Sequence, residues 1–245
     1  MVAEIAGAVD HRTNRLLAAL DPRDFTPLAP FLEVVELSRG KVLYETGDTI
    51  HHAYFPHDSM VSLVTVMQNG ETVETAVFGR EGAVGFSGAL VARQSFGRYI
   101  VQLPGTASRI PLVRLREAFD SSPAVRAILL RFTEALLAQT FQTVACNAVH
   151  PVEARCCRWI LSTRDRTNTD TLPLTHEFLA EMLGVQRPTV SLVIRTFQTA
   201  GLITQGRGVI TIADRAGLEE VACECYGTIR RSFERLLPRT YAKDC

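Results

Sequence analysis

At Pro123 the spacing of apolar residues changes from roughly every second position to a helical repeat, and any fold for this chain must hold both patterns. From Phe31 to about Pro111 the sequence runs in strand-sized pieces broken by glycine: FLEVVELSRG, KVLYETGD, MVSLVTVMQNG, ETVETAVFGREG, RYIVQLPG and TASRIP. Such pieces at such spacing predict a β-sandwich or barrel. Asn69-Gly70 is a pair suited to a type I′ hairpin turn between Met60–Met67 and Glu71–Phe78. After Pro123, Val125, Ile128, Leu129, Phe132, Leu136 and Leu137 recur at helical spacing, and Pro151 holds His150 extended, ending the helix near Val149. About 25 residues at ~1.5 Å each give a rod roughly 38 Å long. One reading lays this rod across the core of the β-domain. The favoured reading takes the 4-3-4 steps Val125, Leu129, Phe132 and Leu136 as a seam against the same helix of a second chain.

Composition narrows the class without naming a partner. The chain has 245 residues, 47% apolar and 21% charged, which excludes disordered, collagen-like and low-complexity classes. Basic and acidic residues balance at 26 each, so attraction to nucleic acid must come from a local patch. The expected location is the cytoplasm: no apolar run approaches the roughly 20 residues of a membrane span, and the first residues do not read as a secretion signal. Six cysteines, Cys146, Cys156, Cys157, Cys223, Cys225 and Cys245, follow neither a disulfide framework nor a paired C-x-x-C zinc spacing, so reduced thiols are expected.

The segment Leu174 to Ile212 carries the densest signals. Thr175 caps a short helix with Phe178, Leu179, Met182 and Leu183 as its buried stripe, and Gly184 stops it. Gln186 caps a second helix with Arg187 and Pro188 in its first turn and Val190, Val193, Ile194 and Phe197 on one face. The opposite face carries Pro188, Leu192 and Arg195, with Ser191 and Thr196 on its margins. Two short strands follow around Gly206-Arg207-Gly208. Two helices about a tight turn, then a basic-tipped hairpin, fit a module whose second helix enters the major groove while the hairpin touches backbone.

LTHEFLAEMLGVQRPTVSLVIRTFQTAGLI followed by GRGVITI resembles the winged helix-turn-helix of the Crp/Fnr regulators. The likeness extends over most of the chain, since β-rich, long-helix and helix-turn-helix segments occur in the family's order. It implies an α+β fold: a jelly-roll-like sensor β-roll over residues 1–122, a dimerisation helix over 123–149, and a winged helix-turn-helix domain with a C-terminal helix over 150–245. It further implies a homodimeric transcription regulator of double-stranded DNA, with a pseudo-palindromic operator and RNA polymerase as a further candidate partner. The expected DNA-contacting set is Thr175, Gln186, Arg187, Pro188, Thr189, Ser191, Leu192, Arg195 and Arg207. Arg187, matching the family's leading arginine, is the first choice for a base contact, and Gln186, Thr189 and Arg207 for phosphate. Familiar members carry a glutamate and a second arginine where this chain has Pro188 and Leu192, so an operator unlike the usual family site is expected.

In the β-roll, Gly85-Phe86-Ser87-Gly88-Ala89 resembles the glycine turn of the phosphate cassette and is the candidate effector seat. The cassette's F-G-E carboxylate is replaced by Val84-Gly85-Phe86, and no arginine is followed by serine or threonine there, which speaks against cyclic AMP. The oxygen-sensing branch holds an iron–sulfur centre in an N-terminal cysteine cluster, and residues 1–145 contain no cysteine. No cofactor and no metal are expected. Cys223 and Cys225 read as side chains about 200° apart on one helix, poor chelators, and His51, His52 and His57 as a solvated loop. His57-Asp58-Ser59 and Gly85-Phe86-Ser87-Gly88-Ala89 fail as a catalytic triad and a nucleophile elbow, so no enzyme is expected. The competing class is a dimeric ligand-binding or redox-sensing protein that does not bind DNA.

Overall fold

The computed structural model describes residues 10–70, 72–89, 92–167 and 169–238; expectations touching residues 1–9, Glu71, Leu90 and Cys245 lie outside them. Two one-turn helices, α1 (Arg15–Ala18) and α2 (Pro22–Phe25), lead into β1 (Glu33–Leu37), β2 (Val42–Tyr44), β3 (His52–Pro56), β4 (Met60–Val66) and β5 (Thr72–Phe78). A one-turn helix α3 (Phe86–Ala89) precedes β6 (Arg98–Leu103) and β7 (Gly105–Pro111). These strands form two antiparallel sheets, in orders β1-β7-β3 and β2-β6-β4-β5, the expected β-roll. The strand pattern follows period two: in β5, Glu74, Ala76 and Phe78 are buried while Thr75 and Val77 are half-exposed.

The β4–β5 hairpin forms, but with a different turn from the one Asn69-Gly70 suggests. Val66 pairs with Thr72, so a longer loop joins the strands, and the Gly70 N–H donates to the Met67 carbonyl at 2.9 Å. A type I′ turn needs positive φ at both central residues. Gly70 has φ 86°, whereas Arg93 is the one non-glycine among the described residues with positive φ, which excludes Asn69.

Two helices follow the roll: α4 (Leu112–Ser121) and the long α5 (Pro123–Val149). Pro123 sits in the first turn of α5, the Ser122 hydroxyl accepts from the Val125 N–H, and His150 ends the helix in an extended conformation. The seam expected between two chains is buried within one. Val125, Leu129, Phe132 and Leu136 join a single core with Phe78, Tyr99, Leu112 and Leu115, with Phe132 against Phe78 at 6.5 Å between ring centres. Full burial of each such side chain contributes roughly 1.5–3 kcal/mol, so this stripe is committed to its own subunit. A second stripe, Leu130, Leu137, Phe141 and Val144, lies exposed on the outer side.

The rest of the chain is α6 (Val152–Thr167), β8 (Thr171–Leu172), α7 (His176–Leu183), α8 (Arg187–Thr199), β9 (Ile203–Gly206), β10 (Val209–Ile212), α9 (Arg215–Val221) and α10 (Cys225–Leu236). Helix α6 continues through the polar run Arg164-Asp165-Arg166. Tertiary ion pairs hold it there: Asp165 accepts from the Tyr226 hydroxyl at 2.7 Å and pairs with Arg215 at 3.0 Å, and Arg166 meets Glu81 at 2.8 Å with both side chains 2% exposed. The last helix returns to the roll, placing Ile229, Phe233 and Leu237 in the core that contains Phe132. Among the described residues no helix is long and apolar enough to cross a membrane.

Candidate nucleic-acid interface

Helix α7 starts at Thr175, whose hydroxyl accepts from the Phe178 N–H at 3.2 Å, and stops at Gly184, left-handed at φ 63°. Gln186, extended, begins α8 without a side-chain cap. Pro188 carries no N–H, and the Thr189 N–H donates to the Gln186 carbonyl at 3.0 Å, which narrows the amide donors a phosphate would meet at this terminus. Val190, Val193, Ile194 and Phe197 are buried, locking the helix by its apolar face. Gln186, Arg187, Pro188, Thr189, Leu192 and Arg195 are exposed, and Leu192 holds 65% of its surface in solvent. No acidic residue lies on α8, and among the described residues no ion pair engages Arg195.

The wing is a three-stranded sheet, β8-β10-β9, and Val209 pairs with Gly206 so that Arg207-Gly208 forms its exposed tip. The third strand, β8, escaped the sequence pattern because its two residues follow a polar run. Thr175 is half-buried, and a Cβ placed on Gly208 would stand 3.9 Å from its methyl, so Thr175 lies beside the wing tip. Ser191 is half-buried too: its hydroxyl meets His176 Nδ1 at 2.9 Å, and His176 Nε2 meets the Gln205 amide at 2.9 Å. His176 therefore links α7, α8 and the wing through one ring, a role that no spacing in the sequence announced.

The module is held on the roll. The Thr72 hydroxyl donates to Glu181 at 3.1 Å, and the Trp159 indole N–H donates to buried Glu74 at 3.1 Å. Burial pushes the Glu74 carboxyl above its ordinary range, against the Ser62 hydroxyl, Arg158, the Trp159 indole and Arg166. At the candidate effector seat, Gly85 is required as glycine, with φ 85° and a Cβ position 3.0 Å from the His52 carbonyl. Phe86 is 4% exposed and packs on Phe119 at 5.8 Å, so its side chain serves the core, while Ser87 is half-exposed. Gly88 and Ala89 complete α3.

Three sequence expectations require correction. His57 is not solvated: it is 3% exposed, meets Ser108 Oγ at 2.7 Å and Thr106 Oγ1 at 3.2 Å, and burial lowers its pKa. Cys223 and Cys225 do not share a helix, because α10 begins at Cys225 and Cys223 lies in the turn before it. Their thiols consequently converge, and with Cys146 and His150 they present four donor atoms within 4.8 Å of one another, a set able to hold a metal. Cys156 and Cys157 stay apart from this set, buried and pushed up in pKa by that burial.

Residues 154–221 match the family of Crp-like helix-turn-helix domains. The chain is 22% identical to the global nitrogen regulator of Synechococcus elongatus over 199 residues, covering 77% of this chain and 89% of that one. It is 25% identical to the HTH-type transcriptional regulator Cmr of Mycobacterium tuberculosis over 208 residues, 82% of this chain and 81% of that one. Among solved structures, FixK2 from Bradyrhizobium japonicum shares the fold at a TM-score of 0.68 with 14% identity, over 78% of this chain and 98% of that one. A Crp/Fnr-family regulator of Thermus thermophilus gives a TM-score of 0.62 with 23% identity, over 78% and 98%.

Proposed function

Because the chain belongs to the Crp/Fnr family of DNA-binding transcription regulators, we propose that it reads a pseudo-palindromic operator as a homodimer, with α8 in the major groove. The observation that carries this reading is the division of α8, with Val190, Val193, Ile194 and Phe197 inside and Arg187, Leu192 and Arg195 outside. Water alone gives no reason to expose Leu192. A thymine methyl does, and the groove supplies one.

Arg187 is the base reader. Its guanidinium can give two parallel N–H groups to guanine O6 and N7, worth ~1–3 kcal/mol of discrimination. Arg195 and Thr189, on the same exposed side, and Arg207 at the wing tip meet phosphates and set the helix in register, as does Gln186 at the start of α8. Ser191 and Thr175 act from behind, Ser191 through its bond to His176 and Thr175 through its cap and the neighbouring wing. Pro188 contributes shape alone, since it has neither N–H nor polar side chain.

The exposed stripe Leu130, Leu137, Phe141 and Val144 advances in steps close to a heptad along α5 and supports pairing with a second copy. Two-fold symmetry then sets the recognition helices one DNA turn apart, ~34–36 Å. The β-roll takes the signal, with the Gly85–Ala89 turn as the seat of an effector, and RNA polymerase is the partner that the bound dimer meets. An effector acts by binding two arrangements of the helix-turn-helix unequally. Selection of bound duplexes from a random pool tests this reading. It predicts paired half-sites related by a dyad and spaced by one turn, with affinity falling steeply as salt rises. Enrichment of single, unpaired sites, or of no sequence, contradicts it.

A further inference from the structure

The last turn of α5 and the turn before α10 meet at a group of side chains that DNA reading does not use. Cys146 and the cap residue His150 stand four positions apart, on one side of the helix end. Cys223 and Cys225 approach from the opposite segment. Cys146 Sγ lies 3.5 Å from Cys223 Sγ, and Cys225 Sγ lies 3.5 Å from His150 Nδ1. The three cysteines are buried, whereas the His150 side chain retains 20% exposure and opens the group to solvent.

We propose that Cys146, His150, Cys223 and Cys225 form a mononuclear, zinc-type site that clamps the end of the long helix to the start of the last helix. The spacing is that of one small ion. With metal–sulfur bonds of ~2.3 Å and metal–nitrogen bonds of ~2.0–2.1 Å, a tetrahedron has edges of about 3.8 Å between sulfurs and about 3.6 Å between sulfur and nitrogen. Two edges already match, and the 4.8 Å outer limit asks the widest pair to close by about 1 Å. Three thiolates and an imidazole favour a borderline-soft divalent ion such as Zn2+ over Mg2+ or Ca2+.

The surroundings suit the ligands. If Nδ1 binds metal, the ring proton sits on Nε2, which lies 3.3 Å from Glu224 Oε2, so the carboxylate fixes the tautomer. The Gln142 amide donates to Cys225 Sγ at 3.0 Å. Buried Arg158 carries positive charge close enough to Cys146 and Cys223 to favour their thiolates, and it offsets the net negative charge of three thiolates around a divalent ion. Binding releases the thiol protons to solvent, with no change of oxidation state.

The site is independent of the DNA reading, and its test needs no DNA. The full chain, reduced and stripped with a chelator, is titrated with Co2+ under anaerobic conditions. The expected result is saturation at about one ion per chain, with strong visible bands of tetrahedral cobalt and a sulfur-to-metal band in the near ultraviolet, all bleached by Zn2+. Cys146→Ser and Cys225→Ser lose these bands, Glu224→Gln binds about 10–100-fold more weakly, and Cys156→Ser keeps them. The wild-type spectrum stands without any variant, and far-ultraviolet circular dichroism checks that each variant is folded. A weak octahedral spectrum, no spectrum, or equal uptake by folded Cys146→Ser overturns the proposal.

Discussion

The Nε of Arg187 lies 2.7 Å from Oε1 of Glu177, across the turn that joins α7 to α8. Both side chains are about two-thirds exposed, at 63% and 64%, so solvent screens the pair and its worth falls in the range of about 0.2–1 kcal/mol. A guanine edge outbids it at ~1–3 kcal/mol. Glu177 thus parks Arg187, the proposed base reader, without holding it, and it also sets a negative charge beside the proposed DNA path.

Glu177→Gln removes both effects. Affinity for operator DNA should rise, by up to about fivefold at low salt, and the gain should shrink as salt is added. Fluorescence anisotropy at two salt concentrations measures it, and weaker binding by the variant would count against the groove-facing placement of Arg187.

The two apolar stripes of α5 make opposite predictions. Phe141→Glu, on the exposed stripe at 69% exposure, should raise the dimer dissociation constant at least tenfold while the subunit keeps its melting temperature. Leu129→Ala, at 3% exposure inside the roll core, should cost about 2–5 kcal/mol of stability and leave the fully folded chain dimeric. Sedimentation and denaturant unfolding separate the two. The reverse pattern would return the seam to Val125, Leu129, Phe132 and Leu136.

Glu74 gives a pH signature. Burial raises its carboxyl pKa in the folded chain, with the Ser62 hydroxyl, Arg158, Trp159 and Arg166 opposing. The folded state therefore holds this proton to higher pH than the unfolded state does. The stability that this provides is complete below the ordinary carboxylate pKa and is lost as pH rises through the folded value. Glu74→Gln should flatten that decline, so that the variant gains stability relative to wild type between pH 5 and 8. Thermal melts across that range check it, and parallel curves would show that the carboxyl is already ionised when buried.

The sequence made the winged module legible because each of its parts is local. Thr175, Gly184, Pro188 and the Val190-Val193-Ile194-Phe197 stripe act within a few residues of one another, and the structure places them as cap, stop, first-turn proline and buried face. Long-range pairings were hidden. Helix α6 outruns its apolar pattern because Asp165 and Arg166 find partners at Arg215, Tyr226 and Glu81, and the two faces of α5 are both apolar, so periodicity could not say which one meets the roll. The cysteines show the same limit. A helix drawn through Cys223 and Cys225 sets their thiols apart, and the interruption of helix between Val221 and Cys225 brings them to Cys146 and His150.

His176 offers a milder test of the module. Its ring joins Ser191 on α8 to Gln205 on the wing. His176→Ala should lower operator affinity several-fold, at a cost of about 0.5–1.5 kcal/mol for each bond removed, with the base preference unchanged. A changed preference, read by competition with single-base operator variants, would make Ser191 or His176 a reader of bases.

Arg187, carried by a helix buried on its other side, is the proposed reader of a base. Random-pool selection run in parallel on wild type and Arg187→Ala tests it most directly. The expected variant has the same circular dichroism and the same dimer and still binds DNA through salt-sensitive contacts, but its selected half-sites have lost discrimination at one guanine by ~1–3 kcal/mol. Half-sites identical to those of the wild type would contradict it.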